Sequence, residues 1–298
     1  MNLNHLAIFH AVADEGSMSR GAERLFISQP AVSKQIKELE AALGIMLFDR
    51  LSRGIRLTVA GEMLAGYARR LFAVEAEAER TIGEMKGLVQ GQLTLGASLT
   101  IGDYLLPQIL GAYRKKFPGI ELHLEIANTH VIQQKLLENA LDVGLTEGFV
   151  EDKELDAEVF GEDALIAVVP PGHALLEEDE VSAERFCAEP FLMREPGSGT
   201  REVIERALAL KGIVVQPAMS LGSTEAIKRG VAAGLGVAII SRLALSMEIE
   251  MGLLHPLMLS DLSITRPLHL VRLRGKSEGA AVQAFLRLLK VSEPLPSR

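Results

Sequence analysis

Residues 22–50 read AERLFISQPAVSKQIKELEAALGIMLFDR. Pro30 marks a helix start, because at a first-turn position its missing N–H has no intrahelical partner to lose, and Ser28 stands just ahead of it. The helix runs on to Gly44. Val32, Ile36, Leu39 and Leu43 recur along its buried face, whereas Gln29, Ser33 and Lys37, four apart and flanked by Lys34, make an exposed polar stripe. Working back from this stretch, Ser17 caps a short helix carrying Ala22 and Leu25. Leu6, Phe9 and Ala13, with Leu3 and Val12 beside them, place a further helix that ends at Gly16. Working forward, Leu47-Phe48-Asp49-Arg50 and Arg53-Gly54-Ile55-Arg56-Leu57-Thr58 are two extended runs joined around Ser52–Gly54, a hairpin that carries Arg50, Arg53 and Arg56.

Helix, tight turn, helix, with polar donors near the last helix's N-terminus, is what reading a major groove requires. Gln29 suits adenine, Lys34 guanine, and Ser33 a base or a phosphate. The hairpin arginines suit phosphates or the minor groove. The candidate DNA-contacting set is therefore Ser28, Gln29, Pro30, Ser33, Lys34, Lys37, Arg50, Arg53 and Arg56. Any one polar stripe is more simply a solvated face; the stripe, the capped three-helix spacing and the cationic wing together favour DNA.

The chain has 298 residues, 48% of them hydrophobic and 23% charged, which suits two globular domains and excludes collagen-like and wholly disordered classes. Its one cysteine, Cys187, cannot form an internal disulfide. The N-terminal stretch is amphipathic without a basic leader region, and no apolar run approaches the roughly 20 residues of a membrane span, so a soluble cytoplasmic protein is expected. The net charge of −8 is unevenly placed. Residues 1–58 hold seven Lys/Arg against six Asp/Glu, while residues 91–298 hold twenty against twenty-eight. A near-neutral module on an acidic body is compatible with DNA binding if its cations share one face.

On these residues the stretch Leu3–Thr58 resembles the winged helix-turn-helix of LysR-type transcriptional regulators, the run quoted above being followed by Leu57-Thr58 and Ala60-Gly61 as in that family. One departure is Gly21, where alanine is usual; glycine inside a helix costs roughly 1 kcal/mol.

From Val59 to Leu88 there is no proline, and apolar positions repeat by seven: Leu64, Leu71, Ala78 and Met85 in one column, Tyr67, Val74, Thr81 and Leu88 in the other. A helix of this length, about 45 Å, outlasts what the small N-terminal module could cover, so the stripe calls for a partner helix. Leu64, Tyr67, Leu71, Val74, Ala78 and Met85 are the candidate dimerisation residues; the resemblance implies that this linker dimerises and pairs two winged helices on two half-sites.

Beyond Gln90-Gly91-Gln92 strands and helices alternate: a strand at Leu93–Gly96, helix 103–117, strand 120–126, helix 131–139, strand 141–145, then strand 165–169, helix 200–211, a strand around 214–219, helix 224–233, strand 237–240, a late strand 268–273 and helix 279–290. This predicts a mainly parallel α/β fold in two subdomains, with crossovers near Gly161–Ala164 and Ile264–Pro267 forming a hinge around a cleft. The expected division is 1–58 for the winged helix-turn-helix, 59–89 for the linker helix and 90–298 for the effector domain, its first subdomain about 90–162 and 267–298 and its second about 163–266.

Ligands in such sheets sit beyond the carboxyl ends of strands, against helix N-termini. Small polar clusters fall there: Ser98-Leu99-Thr100, Thr146-Glu147, Ser198-Gly199-Thr200-Arg201 and Ser223-Thr224. Each alone is more simply a helix cap. Converging, they would line a site for a small oxyanion or carboxylate. Arg201 either adds charge or pairs along its own helix, and Glu147 opposes a highly charged anion unless it points away or pairs with a cation.

This part also resembles the LysR effector domain, with its fold like that of periplasmic solute-binding proteins. GASLTIGDYLLP, ANT at Ala127–Thr129, REPGSGTR and AAGLGVAIISR look similar to regulators of sulfur and cysteine metabolism, which implies sulfite, sulfate, thiosulfate or acetylserine as effector. The implied partners are double-stranded promoter DNA, a second copy of the chain in a dimer or tetramer, and RNA polymerase. No cofactor or metal is expected: the seven histidines lack ligand spacing, and Ser198 lacks the G-x-S-x-G flanks of a nucleophile elbow. Gly230, Gly234 and Gly236 precede a strand where a dinucleotide site needs a helix. The competing readings are a plain solute-binding protein, which would carry an export signal and no winged helix, and a metabolic enzyme, for which no catalytic constellation is visible.

Overall fold

The computed structural model describes residues 2–50, 54–84 and 91–291. They divide into two compact units, the first made of residues up to Ile82 with Glu138–Ala140, the second of Gly83–Leu137 and the residues from Leu141 on.

The first unit opens with α1 (Leu3–Glu15), capped by the Asn2 side chain and closed by Gly16 at φ +59. α2 (Met18–Arg24) is capped by Ser17, whose hydroxyl accepts the Arg20 N–H. Gly21 lies on α1 so closely that a Cβ there would come within 2.8 Å of Val12 Cγ2 and 3.0 Å of its Cα. This departure from the family pattern lets two helices touch, which offsets the propensity cost. α3 (Gln29–Leu43) follows a turn and ends at Gly44, φ +69. Its Val32, Ile36 and Leu39 are buried; Leu43, expected on the same face, is 40% exposed because it lies in the last turn, past the module's core. The strands β1 (Phe48–Arg50) and β2 (Ile55–Leu57) pair antiparallel as the wing. The wing is tied to α3 by a buried Glu40 carboxylate, which accepts the N–H groups of Leu47 (2.8 Å) and Phe48 (3.3 Å).

α4 (Val59–Glu84) corrects one expectation. Its first turns do bury against their own module: Ala65 and Ala68 belong to the core with Leu6, Phe9, Val32 and Leu47, and Leu64 and Phe72 pack against it, Phe72 stacked on His10 at 5.4 Å. Gly61 sits where a Cβ would strike the Leu47 carbonyl, so α4 starts hard against the wing.

In the second unit β3 (Gly91–Ser98) is followed by the short helix α5 (Leu99–Tyr104), α6 (Leu106–Lys116), β4 (Ile120–Ala127), α7 (Thr129–Leu137) and β5 (Val143–Glu147). β3 pairs parallel with both β4 and β5. The long β6 (Leu155–Val169) leads to α8 (Ala183–Cys187), β7 (Leu192–Arg194), α9 (Gly199–Ala209), β8 (Met219–Leu221), α10 (Thr224–Ala232), β9 (Ala238–Ser241), α11 (Ser246–Glu250), β10 (His255–Leu257), β11 (Ile264–Leu273) and α12 (Ala280–Val291). Among the described strands β7 and β8 add a further parallel pair; β11 is antiparallel to β5 and β6, and β9 and β10 are antiparallel to β6, so the strand pairing is mixed rather than mainly parallel.

Two separate cores define two subdomains. Leu93, Leu95, Val143, Leu145 and Leu270 pack with Tyr113 and Phe285, while Leu165, Val169, Phe186, Phe191, Ile204 and Ile239 pack together. The expected crossovers are not loops. Gly161–Leu165 and Ile264–Leu268 face each other as continuous antiparallel strand, Asp163 opposite Arg266, so β6 and β11 form a two-stranded ribbon through both subdomains. The expected helix 103–117 is broken into α5 and α6 at Leu105, and of the expected strand 214–219 only Met219–Leu221 pairs; Pro217 has no N–H to offer a ladder. Among the described residues no helix is long and apolar enough to cross a membrane.

Candidate effector cleft and nucleic-acid interface

The polar face of α3 is assembled as its spacing implies. Gln29, Pro30, Ser33, Lys34 and Lys37 line one hollow of about 530 Å³. Ser28 occupies the cap position without making a side-chain cap bond, so the helix does not use its hydroxyl. Lys34 lies 3.8 Å from Glu38, an exposed pair of little energetic weight. On the wing, Arg56 is exposed and lies 3.4 Å from Asp49. Arg50 stands in β1 with its side chain outside the described part, and Arg53 lies outside the described residues. Along α4 the columns divide: Leu64 packs on its own module, whereas Tyr67, Leu71 and Val74 are 60%, 38% and 58% exposed and Ala78 is exposed as well. Met85 lies outside the described residues.

In the second unit Ser98 ends β3, Thr100 opens α5, Thr146 and Glu147 end β5, and Ser198, Gly199 and Thr200 open α9; all are buried, with Leu99 half-buried beside them. What gathers them is a residue the sequence reading missed. Arg266, fully buried on β11, donates from Nε and Nη2 to Asp163 Oδ2 at 2.9 and 2.7 Å, from Nη1 to Thr200 Oγ1 at 2.8 Å and from Nη2 to Thr100 Oγ1 at 3.5 Å. Its Nη1 is 3.5 Å from Glu147 Oε1. The Glu147 carboxylate also accepts from Ser98 and, at 3.4 Å, from Thr200, and its main-chain carbonyl accepts from Thr129 at 2.9 Å. The Ser241 hydroxyl completes the shell of Asp163 at 2.9 Å. Burial pushes the Asp163 carboxyl above the usual carboxylate range against the pull of Arg266 and Ser241, and nearby Glu147 adds to the push.

Thr146 Oγ1 and His269 Nδ1, on residues paired across the β5/β11 ladder, are buried without a partner. Burial holds the His269 imidazole below its usual range, partly opposed by a bond to the Gly148 backbone.

The remaining candidates sit apart from this cluster. Arg201 donates to Glu205 at 2.8 Å and to the Arg194 carbonyl at 3.1 Å, the helix-face pairing that was its alternative. Ser223 caps α10 through the Ala226 N–H. Thr224 accepts from buried Arg194 at 3.4 Å, and Arg194 is otherwise held by Glu195 at 2.7 Å. Beyond them, the Tyr104 hydroxyl donates to Glu225 at 2.6 Å, a bond from the end of α5 to the first turn of α10. Burial and that bond push the Tyr104 hydroxyl up to about 12. A hollow of about 560 Å³ lies between α7 and α9; its lining sets Glu151, Asp152, Glu202 and Glu205 against Arg206 and His130, an excess of carboxylates that disfavours anions. Burial, with Glu151 close by, pushes the Glu202 carboxyl up.

No local signal marks Arg266 or Asp163: β6 also carries Asp156, Glu158 and Glu162, and β11 also carries Arg272, so only the register of two strands a hundred residues apart picks out this pair.

Residues 3–62 match the family described as the bacterial regulatory helix-turn-helix protein, lysR family, and residues 86–292 match the LysR substrate binding domain. The chain is 34% identical over 285 residues to a RuBisCO operon transcriptional regulator of Allochromatium vinosum, covering 96% of this chain and 94% of that one. Full-length OxyR from Pseudomonas aeruginosa has the same fold, with TM-score 0.76 and 23% identity over 98% of this chain and 95% of that one. The regulatory domain of Synechocystis PCC6803 CcmR, solved in complex with 2-PG, matches with TM-score 0.64 and 29% identity, over 69% of this chain and 100% of that one. The named relative is a regulator of a RuBisCO operon, so the likeness to regulators of sulfur metabolism is not carried by it. The short segments behind that likeness do not by themselves separate one subgroup from another.

Proposed function

We propose, starting from the fact that this chain belongs to the LysR family of transcriptional regulators, that a dimer joined along the exposed stripe of α4 reads promoter DNA through α3 and the wing and alters its grip when a small anion enters the cleft of the second unit. The observation that carries the cleft reading is the convergence of Ser98, Thr100, Thr200 and Arg266 around one buried point, with the Thr146 hydroxyl unpartnered nearby. A guanidinium is a donor only, and a hydroxyl that accepts from it can turn its own proton toward an oxyanion. A ribbon of two strands through both subdomains supplies the hinge that such a ligand would bias, since a ligand shifts an equilibrium only by its differential affinity for the two states.

The likeness to a regulatory domain that binds 2-PG, and to a RuBisCO operon regulator, favours a small anion arising in carbon metabolism over a sulfur oxyanion. The internal count of one guanidinium against two carboxylates, Asp163 and Glu147, favours a ligand of low charge or one taken up with a proton. The protein would work in the cytoplasm as a regulator rather than a catalyst, as a dimer or a pair of dimers, with RNA polymerase as its downstream contact.

Calorimetry on the full chain with 2-PG, inorganic phosphate, sulfate, sulfite and acetate tests the cleft. A hydroxyl bonded to an anion contributes roughly 1.5–3 kcal/mol, so Thr100→Ala or Thr200→Ala should weaken binding by about one to two orders of magnitude. No heat with any of these anions, or both variants binding as tightly as the parent, would remove the anion from the proposal.

A further inference from the structure

The turn between α2 and α3 holds an unusual residue. The Phe26 N–H donates to the Glu23 carbonyl and the Ile27 N–H to the Ala22 carbonyl, both at 3.1 Å, the bond pattern that closes a helix through a left-handed residue. That residue is Phe26, at φ +56. Glycine is the ordinary occupant of this position because it carries no Cβ, and a bulky side chain there is an outlier.

Nor does the ring gain anything from its own chain: Phe26 is 96% exposed, the highest exposure among the large apolar residues described. It stands two residues before the cap of the reading helix, with Ile27, 38% exposed, between. Strain joined to an exposed aromatic, in a turn whose backbone bonds glycine could form equally well, needs a partner outside the monomer to make it worth keeping. Beside the N-terminal end of a recognition helix that partner is the duplex.

We propose that Phe26 is a specificity-determining DNA contact: its ring packs on the apolar surface of the groove wall, a thymine methyl or a deoxyribose edge, next to the base pair addressed by Gln29. The inference rests on the reading of α3 as the recognition helix. Apolar contact with the thymine methyl is an established mode of base reading, and aromatic side chains make it.

The test uses the full chain and duplexes enriched from a random library by the wild-type protein, prepared both with thymine and with uracil in its place. Phe26→Gly and Phe26→Asn keep the left-handed turn and remove the ring. They should unfold at the same temperature as the parent or higher, yet bind the thymine duplex about 10-fold more weakly. If the parent loses the same factor on uracil DNA, the ring meets a methyl; if the parent keeps its advantage there, the ring meets the sugar. Either result supports a DNA contact. Variants that bind both duplexes within about twofold of the parent would overturn it. So would a loss of affinity accompanied by a fall to monomer mass in sedimentation, because the ring would then act in assembly. Gln29→Ala is the control for the underlying reading: weaker binding by that variant alone leaves the recognition helix in place and removes only Phe26.

Discussion

Replacing Arg266 by Met tests whether the cleft's hydroxyls are held by one buried charge. The guanidinium lies 2.7 Å from Asp163, with both side chains almost wholly buried. At an effective dielectric near 20, such a pair attracts by about 6 kcal/mol, from which the cost of desolvating the guanidinium must be deducted. Removing one partner of a buried pair costs about 3–5 kcal/mol because the other charge is left uncompensated. Arg266→Met should therefore destabilise the second unit by that amount while the transition of the winged-helix unit stays in place, read as separate steps in urea unfolding of the full chain.

Burial already raises the Asp163 carboxyl above its unfolded value of 3.8, and the variant removes the strongest opposing pull. A raised folded value means that the folded state holds the proton more firmly, so stability is greatest below the unfolded pKa and falls as pH rises through the folded one. The deficit of Arg266→Met should shrink as pH is lowered toward 4, and Asp163→Leu on the Met background should recover much of it at neutral pH. A loss under about 1 kcal/mol, or one independent of pH, would refute the reasoning that this charge organises the cleft.

Glu147→Gln keeps an acceptor for Ser98 and Thr200 but removes one of two negative charges beside the proposed ligand, so anion affinity in calorimetry should rise by about 10-fold or more; a fall would mean that the carboxylate itself recognises the effector. Leu71→Asp places a charge in the exposed stripe of α4 and should weaken the dimer by several kcal/mol in analytical ultracentrifugation, whereas unchanged mass would remove the reading of α4 as the dimerising helix. Gly21→Ala should not deliver the roughly 1 kcal/mol of helix propensity and should instead lower stability to urea, since its Cβ would lie 2.8 Å from Val12; a more stable variant would show that α1 and α2 separate freely.

The parts of the fold written in local chemistry were legible. Ser17, Pro30, Gly16 and Gly44 punctuate three short helices because caps and left-handed glycines act within a few residues, and the polar ends of β3, β5 and α9 could be expected to meet because parallel strands present their carboxyl ends together. Features that depend on register were not. Ile264-Thr265-Arg266-Pro267 read as a crossover, since proline and a lone charge look like loop signals, yet pairing with Glu162 and Asp163 draws them into a strand. The sevenfold spacing along α4 did not distinguish Leu64, buried by its own module, from Leu71, left exposed: a repeat of seven shows only that one helix face is apolar, not whose side chains cover it. Nothing near Glu40 in the sequence marks its buried role, which is set by wing N–H groups that reach it from seven and eight residues on.

The central claim, that an anion in the cleft changes how the dimer holds DNA, is tested most directly by footprinting the full chain on its selected duplex with and without each anion that binds in calorimetry. Thr200→Ala should serve as the variant. The account predicts that the parent's footprint changes in length or in its pattern of enhanced cleavage when the anion is added. It predicts that Thr200→Ala gives the parent's anion-free footprint and keeps it at the same anion concentration. A parent footprint unchanged at saturating anion, or a Thr200→Ala footprint that shifts as the parent's does, would contradict it.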